Sequence, residues 1–79
     1  MDQSEEKKII KDFGERLKKF RNDKELSLRA LADIAEMDFG NISEIETGKI
    51  NPSLTTIVRL AEALGITPAE FFPQRRQVS

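Results

Sequence analysis

The residues whose types could do chemistry cluster between positions 27 and 53, where hydroxyls, amides and a carboxylate alternate with two cations: Ser27, Arg29, Asn41, Ser43, Glu44, Thr47, Lys49, Asn51 and Ser53. The chain has no cysteine and no histidine, so no imidazole is available to activate a serine or threonine. Thiolate nucleophiles, disulfides and the usual zinc ligands are excluded on the same ground. What these residue types can do is recognise. Asparagine can pair with an adenine edge, glutamate can accept from a cytosine amino group, and hydroxyls or cations beside a helix N-terminus can hold a phosphate. No catalytic residue, metal, cofactor or small-molecule ligand is expected.

Positioning these groups requires short helices. In Ser27 to Gly48, SLRALADIAEMDFGNISEIETG, two amphipathic helices are joined by a turn of about three residues, a unit that can lay one helix in a DNA groove. Ser27 is suited to cap the first, whose apolar side is Leu28, Leu31, Ala32 and Ala35. Asp38 is suited to cap the second, whose inward face is Ile42 and Ile45. At about 100° per residue the opposite face is Gly40, Glu44 and Thr47, flanked by Phe39, Asn41 and Ser43. Glu46 lies only about 40° from Ile42 on that wheel, and a carboxylate so close to the inward face needs a partner. Gly48 is expected to turn the chain in the left-handed region.

Scaffold lies on both sides. Ile10, Phe13, Leu17 and Phe20 form the stripe of a helix from about Ser4 to Asn22, with Gly14 an interruption costing roughly 1 kcal/mol. Asn51 before Pro52 is biased to extended geometry, so no helix runs through KINPS. Ser53 then caps a helix carrying Leu54, Ile57, Val58, Leu60, Ala61 and Leu64, and Gly65 ends it. Thr67-Pro68-Ala69-Glu70 reads as a capping box opening a short fifth helix with Phe71 and Phe72. The expected architecture is a compact all-α, five-helix domain over 9–73, with 1–8 a partly frayed extension of the first helix and 74–79 a flexible tail.

At 79 residues the chain has room for one small core, burying about 60 to 65% of its unfolded surface. Hydrophobic residues make up 38% and charged residues 34%, as in a soluble globular chain. No apolar run reaches the ~18 residues of a membrane span, and MDQSEEKK lacks the apolar core of a signal peptide, so the expected location is cytoplasmic, with no membrane partner. The net charge of -1 hides a gradient: residues 1–24 hold eight basic and six acidic groups, residues 25–51 two and six. The reading segment is therefore locally acidic.

Taken together, Phe20-Arg21, Ser27 with Leu31-Ala32, Ile42-Ser43, Glu46 with Gly48-Lys49, Asn51-Pro52-Ser53, and Leu60-Ala61 with Ala63-Leu64-Gly65 resemble the phage Cro/repressor-type, or XRE, helix-turn-helix. The resemblance spans about Phe13 to Phe72. It implies a lambda-repressor-like domain that binds double-stranded DNA as a homodimer, with a recognition helix at about 39–47 in the major groove of a palindromic operator, and so a transcription regulator. It places base contacts at Phe39, Gly40 and Glu44, to which the outward wheel positions add Asn41 and Ser43. It also implies that Arg21 is the ion-pair partner of Glu46. Phosphate contacts are expected from Ser27 and Arg29, and from Thr47, Lys49, Asn51 and Ser53 around the turn before the next helix.

Two departures from the family pattern stand out. Glu36 occupies the inter-helix turn where glycine is common, which puts a non-glycine residue at positive φ there. Leu28 replaces a polar residue at the head of the second helix, exchanging a phosphate contact for core packing. Ile66, Phe71 and Phe72, with Val78, offer more apolar surface than a short terminal helix buries alone, so a dimer through the C-terminal helix is expected. The competing reading, drawn from the acidic middle of the chain, is a protein-interaction module that keeps the fold without sequence-specific DNA binding.

Overall fold

A computed structural model describes residues 1–72. Its elements are α1 (Gln3–Asp23), α2 (Leu28–Ala35), α3 (Phe39–Glu46), α4 (Leu54–Leu64) and a single 3-10 turn, Pro68–Phe71. α1 packs against α3 and the 3-10 turn, and α2 packs against α3 and α4. The expected tail at 74–79, and Val78 with it, lies outside the described residues.

The first turns follow local chemistry. Asp2 accepts from the Glu5 amide at 2.8 Å, so α1 begins at Gln3, one residue before the sequence expectation, because Asp2 and Glu5 form a capping box that the apolar stripe does not reveal. Ser27 and Ser53 cap α2 and α4 as expected, accepting from the amides of Ala30 and Thr56. Asp38 occupies the cap position of α3 but its carboxylate accepts no hydrogen bond there, leaving that group unused.

The four helices end alike. In each, an amide bonds back five residues and the one before it bonds back three: Leu26 to Arg21, Met37 to Ala32, Lys49 to Glu44 and Ile66 to Ala61 are the longer bonds. The residue that turns left-handed is Gly48 or Gly65 in the last two helices and Glu36 in the second, each as expected, but in the first it is Glu25, with φ 59°. Nothing in NDKE announces this. Leu26, Met37 and Ile66, which follow left-handed residues, are partly buried against the core, so tertiary packing supports each turn.

The core is one cluster in which Leu17, Leu31, Ile42, Leu60 and Phe71 are fully buried. Phe71 corrects two expectations. The segment after Gly65 is a 3-10 turn rather than a fifth α-helix, since four residues leave no room for a ladder of i to i+4 bonds. Phe71 is also 0% exposed inside its own chain, seated against Phe13 at 4.8 Å between ring centroids and edge-on to Phe20 at 5.8 Å. It closes the monomer core instead of offering surface to a partner. The Arg16 guanidinium donates to the Glu70 carbonyl at 3.0 Å, fixing this turn on α1.

Candidate nucleic-acid interface

α3 is held from behind by α1. Ile42 and Ile45 enter the core, and Glu46 beside them meets Arg21 in a two-pronged pair: Arg21 Nε donates to Oε2 at 2.6 Å and Nη2 to Oε1 at 2.9 Å. The two side chains are only 10% and 5% exposed. The third donor, Nη1, reaches the Leu26 carbonyl at 2.8 Å, so one guanidinium ties α1, the α1–α2 loop and α3. The hydrogen bond to Glu46 raises the Arg21 pKa above its ordinary value, burial opposes that rise, and the Glu46 charge adds to it. Geometry of this quality compensates the desolvation of two charges.

Gly14 brings the helices together. A Cβ there would collide with the Ile45 carbonyl oxygen and come within 2.7 Å of the Glu46 carbonyl oxygen, both backbone atoms. The glycine is therefore a requirement of helix approach rather than the tolerated interruption expected from sequence. Its only advance signal is its place between Phe13 and Leu17 on the buried side of α1.

The other side of α3 is open. Leu28, Asp38, Phe39, Gly40, Asn41, Ser43 and Glu44 line a shallow depression between the head of α2 and the start of α3. All five residues expected to face bases are thus brought together on one surface. Leu28 packs against the core, as its apolar character requires, and Asp38, expected only as a cap, adds a second carboxylate beside Glu44. A Cβ on Gly40 would meet nothing closer than Asp38 Oδ2 at 3.7 Å, so the fold makes no demand for glycine there. Phe39 is 44% exposed, and the Arg29 guanidinium carbon lies 5.0 Å from the centre of its ring.

The expected phosphate contacts differ in what they have left to give. Ser27 accepts from the Ala30 amide and keeps its own hydrogen to donate. Ser53 donates to the Thr56 hydroxyl at 2.9 Å, and Thr47 donates to the carbonyls of Ser43 and Glu44, so in these rotamers neither hydroxyl hydrogen is free. Lys49 and Asn51 are exposed between α3 and α4. At the far end, Phe72 is 44% exposed while staying 5.8 Å from Phe13, and Ile66 is partly buried.

The model for Helix-turn-helix proteins fits residues 17–71 of this chain. The chain belongs to the helix-turn-helix family. Within it, the chain is of the Cro/repressor type: it is 40% identical over 53 residues to the HTH-type transcriptional regulator DdrOP3 of Deinococcus deserti, covering 67% of this chain and 41% of that protein. It is 38% identical over 53 residues to the immunity repressor protein of Bacillus phage phi105, covering 67% of this chain and 37% of that one. Among solved structures, the restriction-modification controller protein C.AhdI from Aeromonas hydrophila superposes with a TM-score of 0.78 at 40% identity, covering 80% of this chain and 96% of that one. The chain spans about a third to a half of the length of the curated relatives it matches. Among the described residues no helix is long and apolar enough to cross a membrane.

Proposed function

We propose that this helix-turn-helix domain binds double-stranded DNA sequence-specifically as a homodimer on a palindromic operator, and that it regulates transcription by occupying that operator. The observation that carries the reading is the division of α3 into a side locked to α1 through Gly14 and the Arg21–Glu46 pair, and a bare side on which Phe39, Gly40, Asn41, Ser43 and Glu44 share one depression. A helix held rigidly with its polar side unoccupied is what insertion into a major groove needs. Ser27, Lys49, Asn51 and the N-termini of α2 and α4 supply register-fixing phosphate contacts. The relatives' names as transcriptional regulators and a repressor agree with this role.

Dimerisation through Ile66 and Phe72 would set two reading helices about 34 Å apart. Phe72→Ala is expected to shift the sedimentation of micromolar protein from dimer to monomer, and an unaltered dimer would remove that residue from the interface. The operator itself is found by selecting bound sequences from a random duplex pool at about 0.15 M salt and titrating salt afterwards. Enrichment of a palindrome with half-sites about 10 base pairs apart supports the reading. Two carboxylates in the depression, Asp38 and Glu44, with no cation among its lining residues, favour the second reading, a protein-interaction module. That reading gains if no motif enriches.

A further inference from the structure

The candidate reading surface has an electrostatic fault. Its depression holds two carboxylates, Asp38 and Glu44, and no cation, although nucleic acid is a polyanion. The cation held next to it comes from α2: Arg29 Cζ lies 5.0 Å from the ring centre of Phe39, the first residue of α3 and part of the wall of the depression. The ion pairs among the described residues are Lys8–Asp12, Lys19–Asp23 and Arg21–Glu46, so the charge of Arg29 is committed to none of them. Its hold is the aromatic face, which attracts a guanidinium and removes part of its rotamer freedom without using its N–H donors. This also gives a reason for an aromatic ring left 44% exposed at a helix start.

We propose that Arg29 and Phe39 form one DNA-reading unit, in which Phe39 is a positioning residue and Arg29 contacts a guanine edge rather than a phosphate. The inference rests on the reading of α3 as the groove-facing helix. A guanidinium seated over the first residue of α3 travels into the groove with that helix, and its planar fork of donors matches guanine O6 and N7. None of Phe39, Gly40, Asn41, Ser43 and Glu44 carries a planar pair of N–H-bearing nitrogens to match both acceptors at once. Arg29 thereby supplies the missing base reader and brings a positive charge beside a surface that holds two carboxylates.

The test uses the full chain in four forms beside the wild type: Arg29→Ala, Phe39→Leu, the double substitution and Phe39→Trp. In the free protein, ring currents from Phe39 move the Arg29 δ-protons upfield in the NMR spectrum; Phe39→Leu abolishes that shift and Phe39→Trp keeps it. Each form then selects from a duplex pool with a random centre at about 0.15 M salt. Arg29→Ala is expected to relax preference for G·C at one position of each half-site by about tenfold, within the range for losing a bidentate base contact. Phe39→Leu should relax the same position by about two- to fivefold, Phe39→Trp should leave it intact, and the double form should match Arg29→Ala. A uniform loss of affinity over all sequences in Arg29→Ala overturns the proposal, as do effects of the two substitutions at different positions, effects that multiply, or an absent upfield shift. If the wild type selects no motif, the DNA-reading role of α3 fails and the inference with it. If the wild type selects one that Arg29→Ala leaves unchanged, the inference alone fails.

Discussion

On the side of α3 that faces α1, Ile42 and Ile45 are 0% and 1% exposed, Gly14 leaves no room for a methyl group, and Glu46 has both oxygens bonded to one arginine. On the opposite side Phe39 is 44% exposed, a Cβ on Gly40 would meet only Asp38 Oδ2 at ordinary contact distance, and the Asp38 carboxylate caps nothing. The same eight-residue helix thus has one face where every group is assigned and one where groups are left uncommitted. A surface that must bind something else cannot spend its donors and acceptors internally, while a buried surface must. On the proposed function, the difference separates residues whose loss is felt as stability from those whose loss is felt as binding.

Three substitutions can break that contrast. The largest effect is expected from Arg21→Ala, which strands a buried carboxylate and frees the Leu26 carbonyl: a loss of about 3 to 5 kcal/mol, or roughly 10 °C or more in Tm, read by thermal denaturation. An unchanged melt would mean the inward face is not locked by this pair. Gly14→Ala should cost about 1 to 3 kcal/mol in denaturant titration, because backbone carbonyls of α3 have to move away from the new methyl group. Gly40→Ala is expected to act in the opposite sense, stabilising by up to about 1 kcal/mol through helix propensity while weakening DNA binding if backbone and DNA approach closely there. Two glycines in helices would then give opposite signs, and a destabilised Gly40→Ala would erase the distinction between the faces.

The smallest effects concern the helix ends. Glu25 and Glu36 hold φ near 59° and 57°, a left-handed conformation that costs an L-residue about 1 kcal/mol and glycine almost nothing. Glu25→Gly and Glu36→Gly are each expected to be neutral or stabilising by less than about 1 kcal/mol, the gain being offset by glycine's greater freedom when unfolded. A loss above about 1 kcal/mol at either position would show that the glutamate side chain contributes a bond worth more than the backbone strain.

Much of the frame could be read from the chain because its signals are local. Ser27 and Ser53 cap, Gly48 and Gly65 turn, and the apolar spacing of Leu31, Ala32, Ile42 and Ile45 selects the inward faces, each within three or four residues of what it controls. Glu36 could be anticipated only because the family pattern puts glycine there. Glu25 had no such marker, since its turn is enforced by Leu26 packing on the core and by the Arg21 bond to the Leu26 carbonyl. The outward residues were legible as a set, but their resources were not: that the Thr47 hydroxyl is spent on α3 carbonyls while Ser27 retains its hydrogen depends on rotamers.

An all-α chain of short capped helices with a helix-turn-helix at its centre follows from local signals alone, since periodicity, caps and left-handed glycines act through neighbours along the backbone. The tertiary structure decided the rest, and its decisions join positions far apart: Arg21 with Glu46, Arg16 with Glu70, Phe13 with Phe71, Gly14 with the carbonyls of Ile45 and Glu46. That is why Gly14 passed for a tolerated defect and Phe71 for an interface residue. Apolar character says that a side chain will be covered, and a glycine says that a Cβ is absent; only the assembled helices show what does the covering and what fills the space.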